Sequence, residues 1–560
     1  MEWNLAELYE SLARAFPERE CIVAGDRRWT WSAFAERTRR LAQVLAADGL
    51  GRHQERNRLS PWESGQDHLA LYLYNGPEYL EGMLGAFTAG VASFNVNYRY
   101  VEEELVHLFA DSGAQAVVFH SVFAPTLARI LPRLPGLRLL LQVPDDSGHA
   151  LLPGAIDYED ALSAALPSPL AVERSPDDLY ILYTGGTTGL PRAVLWRQAD
   201  IFVAALSGRG RDGSEFDSFE AVLERAQRGT SRQLPLPPFM HGAAHWGALS
   251  TLLAGGTVVL PTETRWLDPD DAWATVERER VTSLLIVGDA FARPLLEQLR
   301  RQTYDLTSLR AVVSGGAILS PAFKRELVER LGVRILDAMG SSEAGGQASQ
   351  DDAFETDPTF QPSPGTCVVD DSRTTVLPPG ANETGWLARS GRIPLGYLGD
   401  PERTASTFPV IDGVRYAIPG DRAQLLADGS IRLLGRDSTT INSGGEKIYA
   451  EEVERAIKRH PAVADVVVTG RPSLRWGQEV VALIQPQAGT APVAGELVDA
   501  CRGQLASYKI PKAIVFVDAV VRSPSGKPDY RWAKERAGAE GVSVSPAEVS
   551  SPDPSAPGPG

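Results

Sequence analysis

The chain has 560 residues, 43% of them hydrophobic and 22% charged, with a formal net charge of −16. That length exceeds what one hydrophobic core usually serves, so at least two domains are expected, of ordinary globular composition. The acidic balance argues against nucleic acid as the main partner, because neutralising phosphates takes concentrated Lys and Arg.

The start, MEWNLAELYESLARAF, carries acidic residues early and no long apolar core, unlike a signal peptide. No apolar run approaches the roughly 18 residues that would span a bilayer. A cytoplasmic protein without integral membrane association is expected, and the sequence leaves an oligomer open. Cys21, Cys367 and Cys501 lie far apart, which suits neither a metal knuckle nor a disulfide framework. The histidines show no metal-ligand spacing.

Strand-like and helix-like stretches then alternate. Leu69 to Tyr74 reads as a strand, and EYLEGMLGAFTAGV after it as a helix with a terminal glycine. Gly208 to Gln233 is polar and charged and reads as a solvated surface excursion. Val281 to Val287 is the next buried strand and Phe291 to Leu299 a helix. LRAVVSGG runs into Gly315 and Gly316, and Ser320 with Pro321 announces another helix by an N-cap and a first-turn proline. Alternation of this kind implies α/β layers with buried, largely parallel strands. The last ordered stretch reads as a small α+β unit: a helix in AEEVERAIKRHP stopped by Pro461, strands VADVVVTG and EVVALIQP, a helix at Glu496 to Leu505 and the strand AIVFVDAV. The expected fold is therefore a large N-terminal multi-layer α/β domain and a small mobile α+β C-terminal domain. The expected boundaries are 1–436, a hinge at 437–438, 439–537, and a disordered tail at 538–560 rich in Pro, Ser and Gly.

The sharpest local pattern is YILYTGGTTGLPR, Tyr180 to Arg192. An apolar strand runs into Thr184, Gly185, Gly186, Thr187, Thr188 and Gly189. Glycines let successive N–H groups converge and the threonine hydroxyls add donors, which makes an anion cradle suited to polyphosphate. The pattern differs from the P-loop, which ends in Gly-Lys-Ser/Thr. Taken alone, a tight strand-to-loop turn explains it equally well.

Further motifs follow in a fixed order: LPPFMHG with His241, SGGA at Ser314 to Ala317, DAMGSSE ending in Ser342 and Glu343, RYAIPGD ending in Asp421, LLGRDSTTINSGGEKIYAEEVE, RWGQEVVA, and RSPSGKPDY with Lys527. Across nearly the whole chain except the tail, the series resembles the adenylate-forming superfamily of acyl-CoA synthetases, luciferases and peptide-synthetase adenylation domains. The wording of YTGGTTGLPRAVLWR, PPFMHGAAHW and SPSGKPDYRWAK is most similar to an actinobacterial group of fatty-acid–CoA ligases that includes enzymes of steroid side-chain carboxylates.

The resemblance implies that a carboxylic acid is activated by ATP with Mg²⁺ as an acyl adenylate, then passed to coenzyme A. Two anions must meet, so the catalyst needs cations and N–H donors aimed at transition-state charge rather than a strong base. The family's lysine that meets the carboxylate and α-phosphate falls on Lys527, and its Mg²⁺-associated glutamate on Glu343, with Ser342 beside it at the nucleotide. The ribose aspartate falls on Asp421 and the ribose arginine on Arg436. Gly315, Gly316 and Ala317 fall where the chain passes adenine and acyl group, and Asp337 where the adenine amino group is met. His241 falls at the edge of the acyl pocket, with a packed core imidazole as the competing reading. Gly444, Gly445 and Trp476 fall along the path of pantetheine, against which stands a buried core tryptophan.

Three departures stand out. Arg192 replaces the usual lysine after the phosphate loop and lacks its compact ammonium. Met339 replaces the adenine-stacking aromatic, and Ser438 stands at the pivot. The rival readings are an acyl-AMP ligase that loads a carrier protein, a non-catalytic adenylate sensor, and a generic nucleotide-binding domain. Retention of Lys527 and Glu343 speaks against the sensor, and the C-terminal motifs speak against the generic domain.

Overall fold

The computed structural model describes residues 2–184, 191–210, 212–317, 319–351, 359–381, 383–443, 446–473, 476–502, 505, 507–523, 526–538 and 542–543. By internal contacts the chain forms two compact units, one chiefly Met1–Pro419 with Ala423–Leu433, the other chiefly Leu434–Ser523 with Gly420–Arg422.

In the N-terminal unit two parallel sheets carry the frame. The first has the strand order Ala92–Asn95, His68–Tyr72, Ala116–His120, Leu139–Val143, Ile156–Asp157, every neighbouring pair parallel. The order reverses between His68–Tyr72 and Ala116–His120. The second sheet runs Glu20–Ala24, Thr257–Leu260, Arg232–Pro235, Ser283–Ile286, Ala311–Gly315, Arg334–Ser341, again parallel throughout, and Gly345–Asp351 continues it antiparallel. A third, small sheet is the antiparallel hairpin Leu179–Thr184 and Arg192–Arg197 with Gly396–Tyr397 on its outer edge. Largely apolar strands such as LLLQV and SLLI are what burial on both faces requires.

The helix Pro77–Ala89 shows how tightly the layers close. Every one of its residues is buried, and Gly90 ends it in the left-handed region at φ 74°. Two helix-interior glycines cost helix propensity but admit neighbours. A Cβ at Gly82 would stand 2.5 Å from Leu71 Cδ2, and one at Gly85 2.8 Å from Leu41 Cδ2.

The excursion expected at Gly208 to Gln233 is a misreading. Ser218 caps a helix, Phe219–Arg228, that buries Val222 and Ala226, and the stretch then enters the strand Arg232–Pro235 in the middle of the second sheet. Phe219 and Leu223 pack partly buried against the same core, so Phe219, Val222, Leu223 and Ala226 form an i, i+3, i+4, i+7 stripe that the surrounding charges hide in the composition. Ser320 does precede a helix, Pro321–Leu331, but its side chain makes no capping bond. Its N–H instead donates to Asp289 Oδ1 at 2.7 Å.

The C-terminal unit folds on the long hairpin Val463–Ser473 and Gly477–Pro486. Ala513–Phe516 runs parallel to its second strand, and the helices Ala450–Lys458, Ala494–Arg502 and Tyr530–Ala537 cover the sheet. Val542–Ser543 still pairs antiparallel with Ile514 and Ala513, while residues 544–560 lie outside the described residues. Among the described residues no helix is long and apolar enough to cross a membrane.

Candidate active site

Thr184 ends the first strand of the hairpin and stands opposite Arg192. Gly185, Gly186, Thr187, Thr188 and Gly189 between them lie outside the described residues, as do Gly444 and Gly445. What anchors the hairpin is Asn95, at the carboxyl end of its parallel strand and 5% exposed. Its Oδ1 accepts the Tyr183 N–H at 2.8 Å, and its Nδ2 donates to Tyr183 O at 2.8 Å and Met240 O at 2.7 Å. One amide thus ties the strand leading to Thr184 to the segment leading to His241. Asn75, just past the neighbouring strand, clamps the same segment: its Nδ2 donates to Pro237 O at 3.0 Å and its Oδ1 accepts the Phe239 N–H at 2.6 Å. Neither was singled out in the sequence. The available signal was a polar residue closing a buried strand, at the sheet end where open α/β folds bind ligands.

His241 is half-buried and opens the helix Gly242–Leu253. The fully packed imidazole is His245, one turn on. Its Nδ1 lies 2.6 Å from Phe239 O, which can only accept, so Nδ1 carries the proton and Nε2 accepts the Tyr180 hydroxyl. Trp246 Nε1 donates to that hydroxyl at 2.9 Å. Burial lowers the His245 pKa to about 4.

Gly315 closes its strand opposite Ala338, and a Cβ there would meet Ala338 O at 3.1 Å; Gly316 follows at φ 86°. Side-chain-free backbone therefore passes beside the strand Arg334–Ser341, which carries Asp337 and Met339. Asp337 is nearly buried, and its Oδ2 lies 2.9 Å from Lys324 Nζ. Burial raises its pKa and the Lys324 ammonium counters the rise. Met339 is half-buried beside the apolar cluster of Val368, Leu377 and Leu387. Past the strand, Ser342 O accepts the Trp196 Nε1–H at 2.9 Å, and Glu343 Oε1 accepts the Tyr397 hydroxyl at 3.1 Å. Trp196 and Tyr397 both belong to the small sheet, so the Ser342–Glu343 turn is tied to the sheet that presents Thr184. Burial pushes the Tyr397 phenol above its ordinary pKa and keeps it a donor.

Within the C-terminal unit Arg436 Nε donates to Asp421 Oδ1 at 3.1 Å. Gly435 precedes it at φ 144°, where a Cβ would stand 2.2 Å from Glu451 Oε2, and Glu451 Oε1 accepts the Thr439 hydroxyl at 3.0 Å. Asp437–Thr439 forms a short 3-10 turn. Lys527 is exposed, and its carbonyl accepts the Ser523 N–H at 2.7 Å. Trp476 is 36% exposed, which removes the buried-core reading of it. Among the described residues no group of three or more His, Cys, Asp and Glu is placed to hold a metal ion.

The AMP-binding enzyme family matches residues 9–393, and the AMP-binding enzyme C-terminal domain matches residues 452–527. Medium-chain acyl-CoA ligase Mig of Mycobacterium avium is 53% identical over 94% of this chain and 97% of its own. A medium/long-chain-fatty-acid–CoA/3-oxocholest-4-en-26-oate–CoA ligase of Mycobacterium tuberculosis is 40% identical over 95% and 96%. Among solved structures, the anthranilate CoA ligase AuaEII in complex with anthranoyl-AMP superposes with a TM-score of 0.80 at 20% identity over 96% of this chain and 97% of that one. ATP-bound MatB from Rhodopseudomonas palustris gives 0.79 at 24% identity over 96% and 99%. The fold, both halves of the chain and the order of its motifs agree: the chain belongs to the AMP-binding enzyme family.

Proposed function

We propose that the protein is an AMP-forming acyl-CoA synthetase: carboxylate and ATP give acyl-AMP and pyrophosphate, then acyl-AMP and coenzyme A give acyl-CoA and AMP. The observation that carries this reading is likeness to a named acyl-CoA ligase along 94% of the chain, with a C-terminal family match that reaches Lys527. The acid is a fatty acid or a steroid side-chain carboxylate. Met240 to Gly247 contains no Asp or Glu to meet an α-amino group, and the helix that follows His241 buries Ala244, Ala248 and Leu249.

In the first half-reaction the ionised acid attacks the α-phosphate, and the Lys527 ammonium meets the charge that gathers there. Asp421, oriented by Arg436, accepts from the ribose hydroxyls. Asp337 accepts from the adenine amino group, which slides in beside Gly315, Gly316 and Ala317. Glu343, held at one oxygen by Tyr397, keeps its other oxygen as a hard ligand. A single carboxylate suits Mg²⁺, which takes few protein ligands and completes its shell with water and phosphate oxygens. Mg²⁺ when bound would neutralise phosphate charge there. In the second half-reaction Trp476, with Gly444 and Gly445, lines the approach of the thiol.

Lys527→Ala tests the assignment of roles. Acid-dependent pyrophosphate release should fall by roughly 10²–10³, the worth of one preorganised charge donor, whereas transfer from supplied acyl-AMP to CoA should persist. Equal loss in both half-reactions would contradict it.

A further inference from the structure

Lys324 is a buried lysine that no motif accounts for. It lies on the helix Pro321–Leu331 and is 3% exposed, where lysines are ordinarily left in water. Its ammonium contacts Asp337 Oδ2 at 2.9 Å and donates to Gln350 Oε1 at 3.1 Å. Gln350 stands directly opposite Asp337 in the sheet and donates its own amide to Thr359 O at 3.0 Å. Lysine, aspartate and glutamine are thereby locked to three elements.

Stability alone is a weak reason for such a pair. Desolvating two charges costs several kcal/mol each, and an apolar pair of equal volume commonly does as well. What the pair does supply is a defined protonation state. The groups facing Asp337 are Lys324 from one helix, Gln350 from the neighbouring strand, and Asp289 from the helix Gly288–Leu299. Burial and Asp289 both favour the neutral acid, and Lys324 opposes them.

We propose that Lys324 is a positioning residue for base selection: by occupying Oδ2 it holds Asp337 as an acceptor-only carboxylate, whose Oδ1 takes the amino group of adenine and repels the carbonyl oxygen that guanine carries at the same place. This deepens the reading of Asp337 given above and rests on it. A protonated Asp337 could donate to guanine, so selection depends on keeping that proton away.

The experiment compares ATP with GTP, as kcat/KM for pyrophosphate release with decanoate and as dissociation constants by calorimetry, from pH 5.5 to 8.5. Wild type should hold its preference for ATP across the range, and Lys324→Arg should retain it. Lys324→Met should lose at least about tenfold of the preference, and the loss should deepen as pH falls, because the carboxyl now protonates more readily. Lys324→Met/Asp337→Asn removes both charges, so it keeps the fold testable if the single variant fails to fold. It should show a weakened preference that does not change with pH. A wild-type preference at every pH in Lys324→Met, or in the double variant, would overturn the proposal while leaving the enzyme reading intact. Absence of acid-dependent pyrophosphate release in wild type would instead overturn the enzyme reading.

Discussion

Asn95→Ala should loosen the strand that presents Thr184 without touching any substrate-binding side chain. Asn95 makes three hydrogen bonds, and every one ends on backbone: the N–H and carbonyl of Tyr183 and the carbonyl of Met240. At 5% exposure, water has little access to replace them. Each orphaned buried group costs about 1–3 kcal/mol, so losing all three bonds should cost at least about 3 kcal/mol. Asn95→Asp is nearly isosteric but should be no milder, since it sets a carboxylate against two carbonyl oxygens. Hydrogen exchange read by mass spectrometry on a peptide covering Leu179–Thr184 gives the local value: 3 kcal/mol corresponds to about a hundredfold loss of protection. Pyrophosphate release should show the KM for ATP rising more than kcat falls. Protection within a few-fold of wild type in Asn95→Ala would refute the reasoning, because the three bonds would then carry no net free energy.

Two further outcomes follow from buried groups. His245 is held neutral in the folded state with a pKa of about 4, against about 6.5 when unfolded. The unfolded chain therefore binds the extra proton between those values, and stability contributed by His245 is full above pH 6.5 and lost as pH falls towards 4, by roughly 3 kcal/mol. Urea midpoints of His245→Gln should vary less steeply with pH across that window than wild type; identical slopes would remove His245 as the cause. Gly435→Ala places a Cβ against Glu451 Oε2 at φ 144°, a strain of about 1–3 kcal/mol before the clash is counted. The C-terminal unit should unfold at a lower temperature, and Glu451→Ala on that background should restore part of the loss by relieving the clash but not the backbone strain; no restoration would place the damage elsewhere.

Much of the strand-and-helix alternation was legible because it rests on short-range physics. Buried parallel strands need unbroken apolar runs, and helices need an apolar stripe and a stop, so LALYLY, VTSLLIVG and the glycine at Gly90 report themselves. The helix Phe219–Arg228 did not, although Phe219, Val222, Leu223 and Ala226 keep helical spacing, because the charged residues between them and the polar stretch before them dominate the composition. The family was legible for a different reason: glycine-rich and charged motifs keep a fixed order along the chain. By itself the sequence determined the family, the two-part α/β and α+β organisation and the candidates Lys527, Glu343, Asp421 and Arg436. Only the tertiary structure decided which neutral or distant residues serve them. Asn95 meets Met240 across 145 positions, Tyr397 meets Glu343 across 54, and His245 rather than His241 holds the buried imidazole network. No motif encodes such partners, because a hydrogen bond depends on where two chain segments come to lie in space, and that is settled by the packing of the layers between them.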